Sequence, residues 1–355
     1  MGARRWLPAV LVAAGCGAPS GDLNLESDAR LIARMEEHLV PGVAVAVIRD
    51  RELDWASGFG VRRAGETAPV TVKTVFQAAS LSKPVVAYGV HALVRAGKLD
   101  LDTPLSDYLD SPYIDDPRLS RITARMALSH STGFPNWRPG RWSDDPGALE
   151  IEFDPGTRFQ YSGEGYVYMQ HVVEEITGES LDVYLKRTVL DPLGMVDSSF
   201  VWEERFESVH ASPHDGDGVP GDKWRPSEPL AAGTLQTTVF DYARFVEAML
   251  AIEAADRWPL DDTALDQALE QQTTIDEALG WSLGFGVEST EAGTWFWQWG
   301  DDGPFKAFAA GSRVTGDAVV ILTNGQWGLD VARPTVEEVL GKRAFLDFRM
   351  IGYRR

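Results

Sequence analysis

The sequence predicts an α+β fold, with one antiparallel sheet assembled from both ends of the chain and a mainly helical part inserted between them. Three observations carry this. Near the start, Gly42 to Ile48 is a β-branched run, and Leu53 to Val61 returns after an Asp50-Arg51 turn. Near the end, Leu283 to Glu288, Trp295 to Trp299, Phe305 to Arg313 and Ala318 to Thr323 are short apolar runs bounded by Gly, Asp or Asn. Between them, from about Ser80 to Ala278, the apolar pattern is helical and the loops are long.

The elements follow in order. Ser27 to Val40 places Leu31, Met35 and Leu39 on one face, an amphipathic helix capped by Ser27 or Asp28. A helix opening near Ser80 continues through Val86, Val90, Leu93 and Val94, and Gly97 ends it. Gly165 to Thr177, Leu181 to Val189 and Val239 to Ile252 are further helices, and Val331 to Leu340 is the last. The chain therefore divides into a sheet subdomain of residues 27–79 and 279–345, a mainly helical subdomain of residues 80–278, and a tail of residues 346–355. No internal repeat or low-complexity segment is present.

Composition narrows the function. At 355 residues the chain can bury a substantial core. Its net charge of -20 would repel a polyanion, which argues against nucleic acid as a partner. A lone cysteine, Cys16, excludes an intramolecular disulfide and a Cys-rich metal site, and no cofactor motif is found. Residues 1–16 read as an export signal: Arg4 and Arg5, an apolar run from Trp6 to Ala14, then small residues before Cys16. The pattern resembles a bacterial lipoprotein signal, with Cys16 lipidated, residues 17–26 as linker, and the protein held at the membrane in the periplasm or cell envelope. A plain signal peptide with an incidental cysteine, or a twin-arginine signal, fits the same residues less fully.

The chemistry centres on Ser80-Leu81-Ser82-Lys83, which follows the extended run Thr74 to Ala79 and opens the helix that Pro84 begins. Residues three apart on a helix share a face, so the Ser80 hydroxyl and the Lys83 amine can meet. A serine needs a base to become a nucleophile, and a buried lysine with a lowered pKa can be that base. Alone the pattern is short, and a capped helix with a solvated lysine shows it too. Tyr161, between the turn Asp154-Pro155-Gly156 and the next helix, is a candidate proton shuttle; alone it reads better as a core tyrosine with a satisfied hydroxyl.

Taken in order, the segments Phe76 to Lys83, Lys98 to Asp102, Ala127 to Pro135, Pro155 to Ser162, Asp191 to Met195 and Ala232-Gly233-Thr234 resemble the class C β-lactamase-like serine hydrolases of the penicillin-binding-protein superfamily. The resemblance runs from about residue 28 to 341. It implies a β-lactamase/transpeptidase-like fold with the site in the cleft between sheet and helices, Ser80 as nucleophile, Lys83 as its partner and Tyr161 as the catalytic tyrosine. It also implies a third element on a strand, here matched best by Gln298-Trp299-Gly300, with the N–H of Asp301 joining that of Ser80 in the oxyanion hole. Removing one such donor costs about 3 kcal/mol in the transition state.

Two departures from that family bear on substrate. Where β-lactamases and peptidases usually carry Asn two residues after the tyrosine, this chain has Gly163; where they carry a cation, it has Gln298. Both resemble the pattern of the family's esterases, so the expected substrate is a small ester or amide, or a cell-wall peptide. A true β-lactamase or D-Ala-D-Ala carboxypeptidase is the alternative. A non-catalytic envelope-binding protein of the same fold is the competitor from another class, and the joint presence of Ser80, Lys83 and Tyr161 argues against it. Lys306 is a candidate replacement for the missing cation.

The other candidates read more plainly. His130 is expected to be a packed, hydrogen-bonded histidine. His210 and His214, near Asp215 and Asp217, suit a solvated loop better than a metal site. The G-x-S-x-G elbow of α/β-hydrolases is absent. Trp137, Trp224, Trp297 and Trp299 fit either a cleft lining or a core.

Overall fold

The computed structural model describes residues 25–252 and 259–348; the expected signal, Cys16, most of the linker and the end of the tail lie outside them. In chain order the regular elements are α1 (Leu25–Glu37), β1 (Gly42–Arg49), β2 (Glu52–Gly60), β3 (Val75–Gln77), α2 (Ser82–Arg95), α3 (Ala124–Leu128), α4 (Gly163–Thr177), α5 (Leu181–Leu185) and α6 (Asp191–Leu193). They continue as β4 (Gln236–Thr238), α7 (Val239–Leu250), α8 (Asp262–Leu269), β5 (Thr273–Thr274), β6 (Leu279–Trp281), β7 (Gly286–Thr290), β8 (Gly293–Asp302), β9 (Phe305–Gly311), β10 (Ala318–Thr323) and α9 (Gly328–Leu340). Among the described residues no helix is long and apolar enough to cross a membrane.

The fold is α+β, and its sheet is closed across the two chain ends. Eight antiparallel strands run in the order β2-β1-β10-β9-β8-β7-β6-β5. β1 meets β10 with Val45 opposite Ile321, and it meets β2 through a two-residue turn. Asp50 and Arg51 both have positive φ in that turn, the mirror-image hairpin geometry that matches strand twist.

β1 is buried on both faces because both are covered. Val43, Val45 and Val47 pack with Leu31 and Met35 of α1 and Val336 and Val339 of α9. Ala44, Ala46 and Ile48 face the larger core that includes α2 and α7. Alternation of side chains along the strand is what delivers the two faces to two helix layers.

The structure differs from expectation at several points. α1 begins at Leu25, so Ser27 and Asp28 stand in its first turn rather than at its cap. α4 starts two residues earlier than Gly165, capped by the Ser162 hydroxyl accepting from the Gly165 N–H at 2.9 Å. The helix expected from Leu181 to Val189 passes into a π-helical turn, Lys186–Leu190, before α6. Inside the segment expected to be helical, β4 pairs with β3, which falls in the expected extended run Thr74 to Ala79, to form a small second sheet; β5 joins the main one, and α7 packs on β1 and β10. Strands of two or three residues are too short to show a period.

Candidate active site

The nucleophile candidate sits where β3 hands over to α2 through one 3₁₀ turn, Ala79–Leu81. Ala79 has φ +48°, a left-handed conformation that costs a residue with a Cβ roughly 1–3 kcal/mol. Neighbouring bonds hold it there. The Ala78 N–H donates to Leu235 O at 2.8 Å, the Ser82 hydroxyl donates to Ala79 O at 2.6 Å, and the Leu235 N–H donates to the Ser82 hydroxyl at 3.0 Å. The strained turn leaves Ser80 half-buried at the start of the helix, while Lys83 is buried.

Lys83 Nζ donates to Ser80 Oγ at 2.9 Å and to Ala232 O at 2.9 Å. Burial lowers the Lys83 pKa to about 7, since its charge is removed from water. Neutral amine is therefore abundant near physiological pH, with a lone pair able to accept from Ser80.

Tyr161 completes the cluster. Its hydroxyl lies beside Ser80 and accepts from Gln298 Nε2 at 3.0 Å, and Lys83 Nζ lies 4.9 Å from the centre of its ring. Burial pushes the phenol pKa up, so it holds its proton. His130 clamps the tyrosine from both sides in sequence: His130 O accepts from the Gln160 N–H at 2.7 Å and His130 Nδ1 from the Ser162 N–H at 3.0 Å. Its ring centre is 4.2 Å from that of Tyr161. Desolvation, and then the Lys83 charge, keep this histidine neutral. The packed, bonded histidine expected from sequence is what the structure contains.

The third element borders the same site. β8 pairs with β7 only as far as Trp297, so Gln298 to Asp302 have β9 on one side and the Ser80 turn on the other. A Cβ at Gly300 would stand 2.4 Å from Ala78 O, so only glycine lets the strand lie this close to the turn. Gln298 Nε2 donates both to Tyr161 Oη and to Trp299 O at 2.8 Å. A carbonyl can only accept, which fixes which end of the amide is nitrogen. Lys306 is not a stand-in for a substrate-binding cation: it is paired with the Asp301 carboxylate, and its Nζ also donates to Gly303 O at 2.6 Å.

A candidate nucleophile, a depressed-pKa lysine and a protonated tyrosine thus lie together beside an irregular turn and a glycine-bearing strand. The beta-lactamase family model matches residues 28–339. The chain belongs to that family. Its members are serine hydrolases. Over 339 residues the chain is 29% identical to penicillin-binding protein 4 of Amycolatopsis lactamdurans, covering 89% of each chain. It is 32% identical to esterase EstB of Burkholderia gladioli over 215 residues, 53% of this chain and 54% of the esterase. A mutant of a class C beta-lactamase shares the fold with a TM-score of 0.79 at 18% identity, over 90% of this chain and 99% of its own. A D-alanine carboxypeptidase of Burkholderia cenocepacia does so at 0.75 and 19%, over 89% and 98%.

Two residues after Tyr161 stands Gly163, where the sequence departs from the pattern expected of β-lactamases and peptidases. The Gly163 N–H donates to Asn136 O at 3.0 Å and to Asn136 Oδ1 at 2.9 Å. A Cβ on Gly163 would be 2.5 Å from the Trp137 ring, so the tryptophan fills the space a side chain there would take. Gly163→Asn is accordingly expected to displace Trp137 and to lower the melting temperature, by about 1–3 kcal/mol of overpacking. Thermal denaturation and near-ultraviolet circular dichroism check this; an unshifted melting temperature with an unchanged tryptophan signal would refute the crowding.

The remaining candidates separate. Trp299 packs on the Tyr161 ring at 4.8 Å, Trp297 lies wholly in the core, and Trp224 is exposed. His210 and His214 correct the expectation of a solvated loop, because both are buried pins. His210 Nε2 bonds Gln236 Oε1 at 2.8 Å; His214 Nδ1 bonds Asn324 O at 2.8 Å and its Nε2 accepts from the Ala64 N–H at 2.9 Å. With both ring nitrogens used, neither can take a metal, and no group of three or more possible ligands occurs among the described residues. Sequence reasoning missed Asn136, Glu164 and the Ala232 carbonyl as parts of the site, because none has a spacing signal of its own.

Proposed function

We propose that the chain hydrolyses small uncharged esters or amides through an acyl-enzyme on Ser80. The observation that carries this is the 2.9 Å contact between Ser80 Oγ and a buried Lys83 whose pKa is about 7. Neutral Lys83 takes the serine proton as Oγ attacks the substrate carbonyl carbon. The tetrahedral oxyanion accepts from the N–H groups of Ser80 and Asp301 in this reading. Tyr161, held as an O–H donor by Gln298, returns a proton to the leaving oxygen or nitrogen as the bond to carbon breaks. Water then attacks the acyl-serine along the reverse route and releases the acid.

The preference for uncharged substrates rests on Gln298 and Lys306. The first is neutral, and the second is occupied by Asp301. A carboxylate entering this desolvated cleft lacks the charge-assisted hydrogen bond that offsets about 1.5–3 kcal/mol of its desolvation. That is some tenfold to a hundredfold in rate. The likeness to esterase EstB supports the same reading. The test is a panel of a short-chain p-nitrophenyl ester, a chromogenic cephalosporin and D-amino-acid peptides, run alongside fluorophosphonate labelling. Ester turnover is expected to exceed cephalosporin turnover, with the label on Ser80. Faster cephalosporin turnover would make a β-lactamase the better reading, and a protein that neither turns over nor labels would be a binding protein.

A further inference from the structure

We infer that Glu164 is a positioning residue that latches Trp137 against Gly163, beside Tyr161, and that Trp137 thereby selects substrates with a flat group beside the scissile carbonyl. The inference rests on the esterase reading above and adds a substrate class to it.

Glu164 is completely buried, one position beyond the glycine that Trp137 covers. Its carboxylate receives two arginines from the loop that carries the tryptophan. Arg138 donates from Nε at 2.9 Å to one oxygen and from Nη2 at 2.8 Å to the other, and Arg141 Nη1 donates at 2.8 Å. The Arg138 N–H adds a fourth bond at 3.2 Å. Burial alone would raise the carboxyl pKa, but these bonds hold it below the usual range. Two more contacts fix the same loop to the start of α4. The Ser162 hydroxyl donates to Pro135 O at 2.8 Å, and Asn136 O accepts from both Gly163 and Glu164.

The loop is therefore gripped on both sides of Trp137, by Pro135 and Asn136 before it and by Arg138 and Arg141 after it. A buried ion pair adds little net stability over apolar packing of equal volume, so its use here points to geometry. What it sets is a half-buried indole against Gly163, two residues from Tyr161, with the Arg141 guanidinium 5.6 Å and the Trp142 ring 5.4 Å from its centre. Neither the Trp137 indole N–H nor the Asn136 amide NH₂ finds an acceptor among the described residues. A half-buried indole flanked by two donors suits an aromatic or conjugated acyl group that carries acceptors.

The experiment compares kcat/KM for p-nitrophenyl benzoate and p-nitrophenyl acetate, which share a leaving group. Taking variant over wild type cancels their intrinsic reactivities. Trp137→Ala is expected to lower the benzoate-to-acetate ratio by on the order of tenfold, mainly through KM, and Trp137→Phe to restore most of it. Glu164→Gln is expected to lower the ratio as Trp137→Ala does. Arg141→Gln, which leaves the Arg138 arm in place, should lower it partway and keeps the latch testable where Glu164→Gln does not fold. A ratio unchanged in Trp137→Ala overturns the selection, and one unchanged in Arg141→Gln and Glu164→Gln overturns the latch. Wild-type protein that hydrolyses neither ester overturns the underlying reading along with both.

Discussion

Ser80→Ala is expected to abolish turnover and fluorophosphonate labelling together, with a rate loss on the order of 10⁴–10⁶-fold, and to leave the melting temperature nearly unchanged. The rate follows from there being no substitute. Ser82, two residues on, has its hydroxyl spent on Ala79 O and the Leu235 N–H, where it braces the strained turn. Ser162 caps α4 and donates to Pro135 O. Of the three, only Ser80 is half-exposed, and its hydroxyl alone accepts from Lys83. Stability is spared because Lys83 keeps its bond to Ala232 O when the hydroxyl goes. Activity-based labelling, steady-state kinetics and differential scanning calorimetry on one preparation check all three. A label that persists on another serine, or turnover within tenfold of wild type by the usual measure of a lost nucleophile, would remove Ser80 from the mechanism.

How much of this was legible in the sequence depends on what kind of signal each part leaves. β1 and β10 read as strands because both faces are buried and the runs Val43 to Ile48 and Ala318 to Leu322 are apolar throughout. The Ser80/Lys83 pair read because a helical three-residue spacing is a local constraint. Tyr161 and Gln298 belong to the site only through tertiary folding, and it was the resemblance in order and spacing that placed them. The latch was invisible for the opposite reason. Arg138 and Arg141 look like ordinary loop charges, and Glu164 like an exposed residue in a helical first turn. Only the packing shows that the carboxylate is buried and that Gly163 is a glycine because an indole stands on it. His210 and His214 misled in the same way. Loop composition suggested solvent, whereas the loop is held down by those two rings.

Lys83→Arg is expected to lower kcat by about 10²–10⁴-fold, and the wild-type rate to rise with pH through about 7 and then level. Both follow from the buried amine. Below its pKa the lone pair is taken up by a proton and Lys83 can only donate to Ser80; above it the amine can accept. Arginine stays protonated at any working pH and offers no lone pair. The same burial carries a stability cost with a definite sign. The folded-state value near 7 lies below the ordinary 10.5, so between them the unfolded chain holds a proton that the folded chain lacks. Stability therefore rises with pH across that window, and below about 7 the full penalty applies, on the order of several kcal/mol. Lys83→Met, which removes the charge, is expected to be as inactive as Lys83→Arg yet more stable than wild type at neutral pH, with the gain shrinking toward pH 10.5. Chemical denaturation across the pH range and pH–rate profiles of the three proteins test this. A wild-type rate flat across neutral pH, or a Lys83→Arg variant with near-normal kcat, would show that the base is not Lys83.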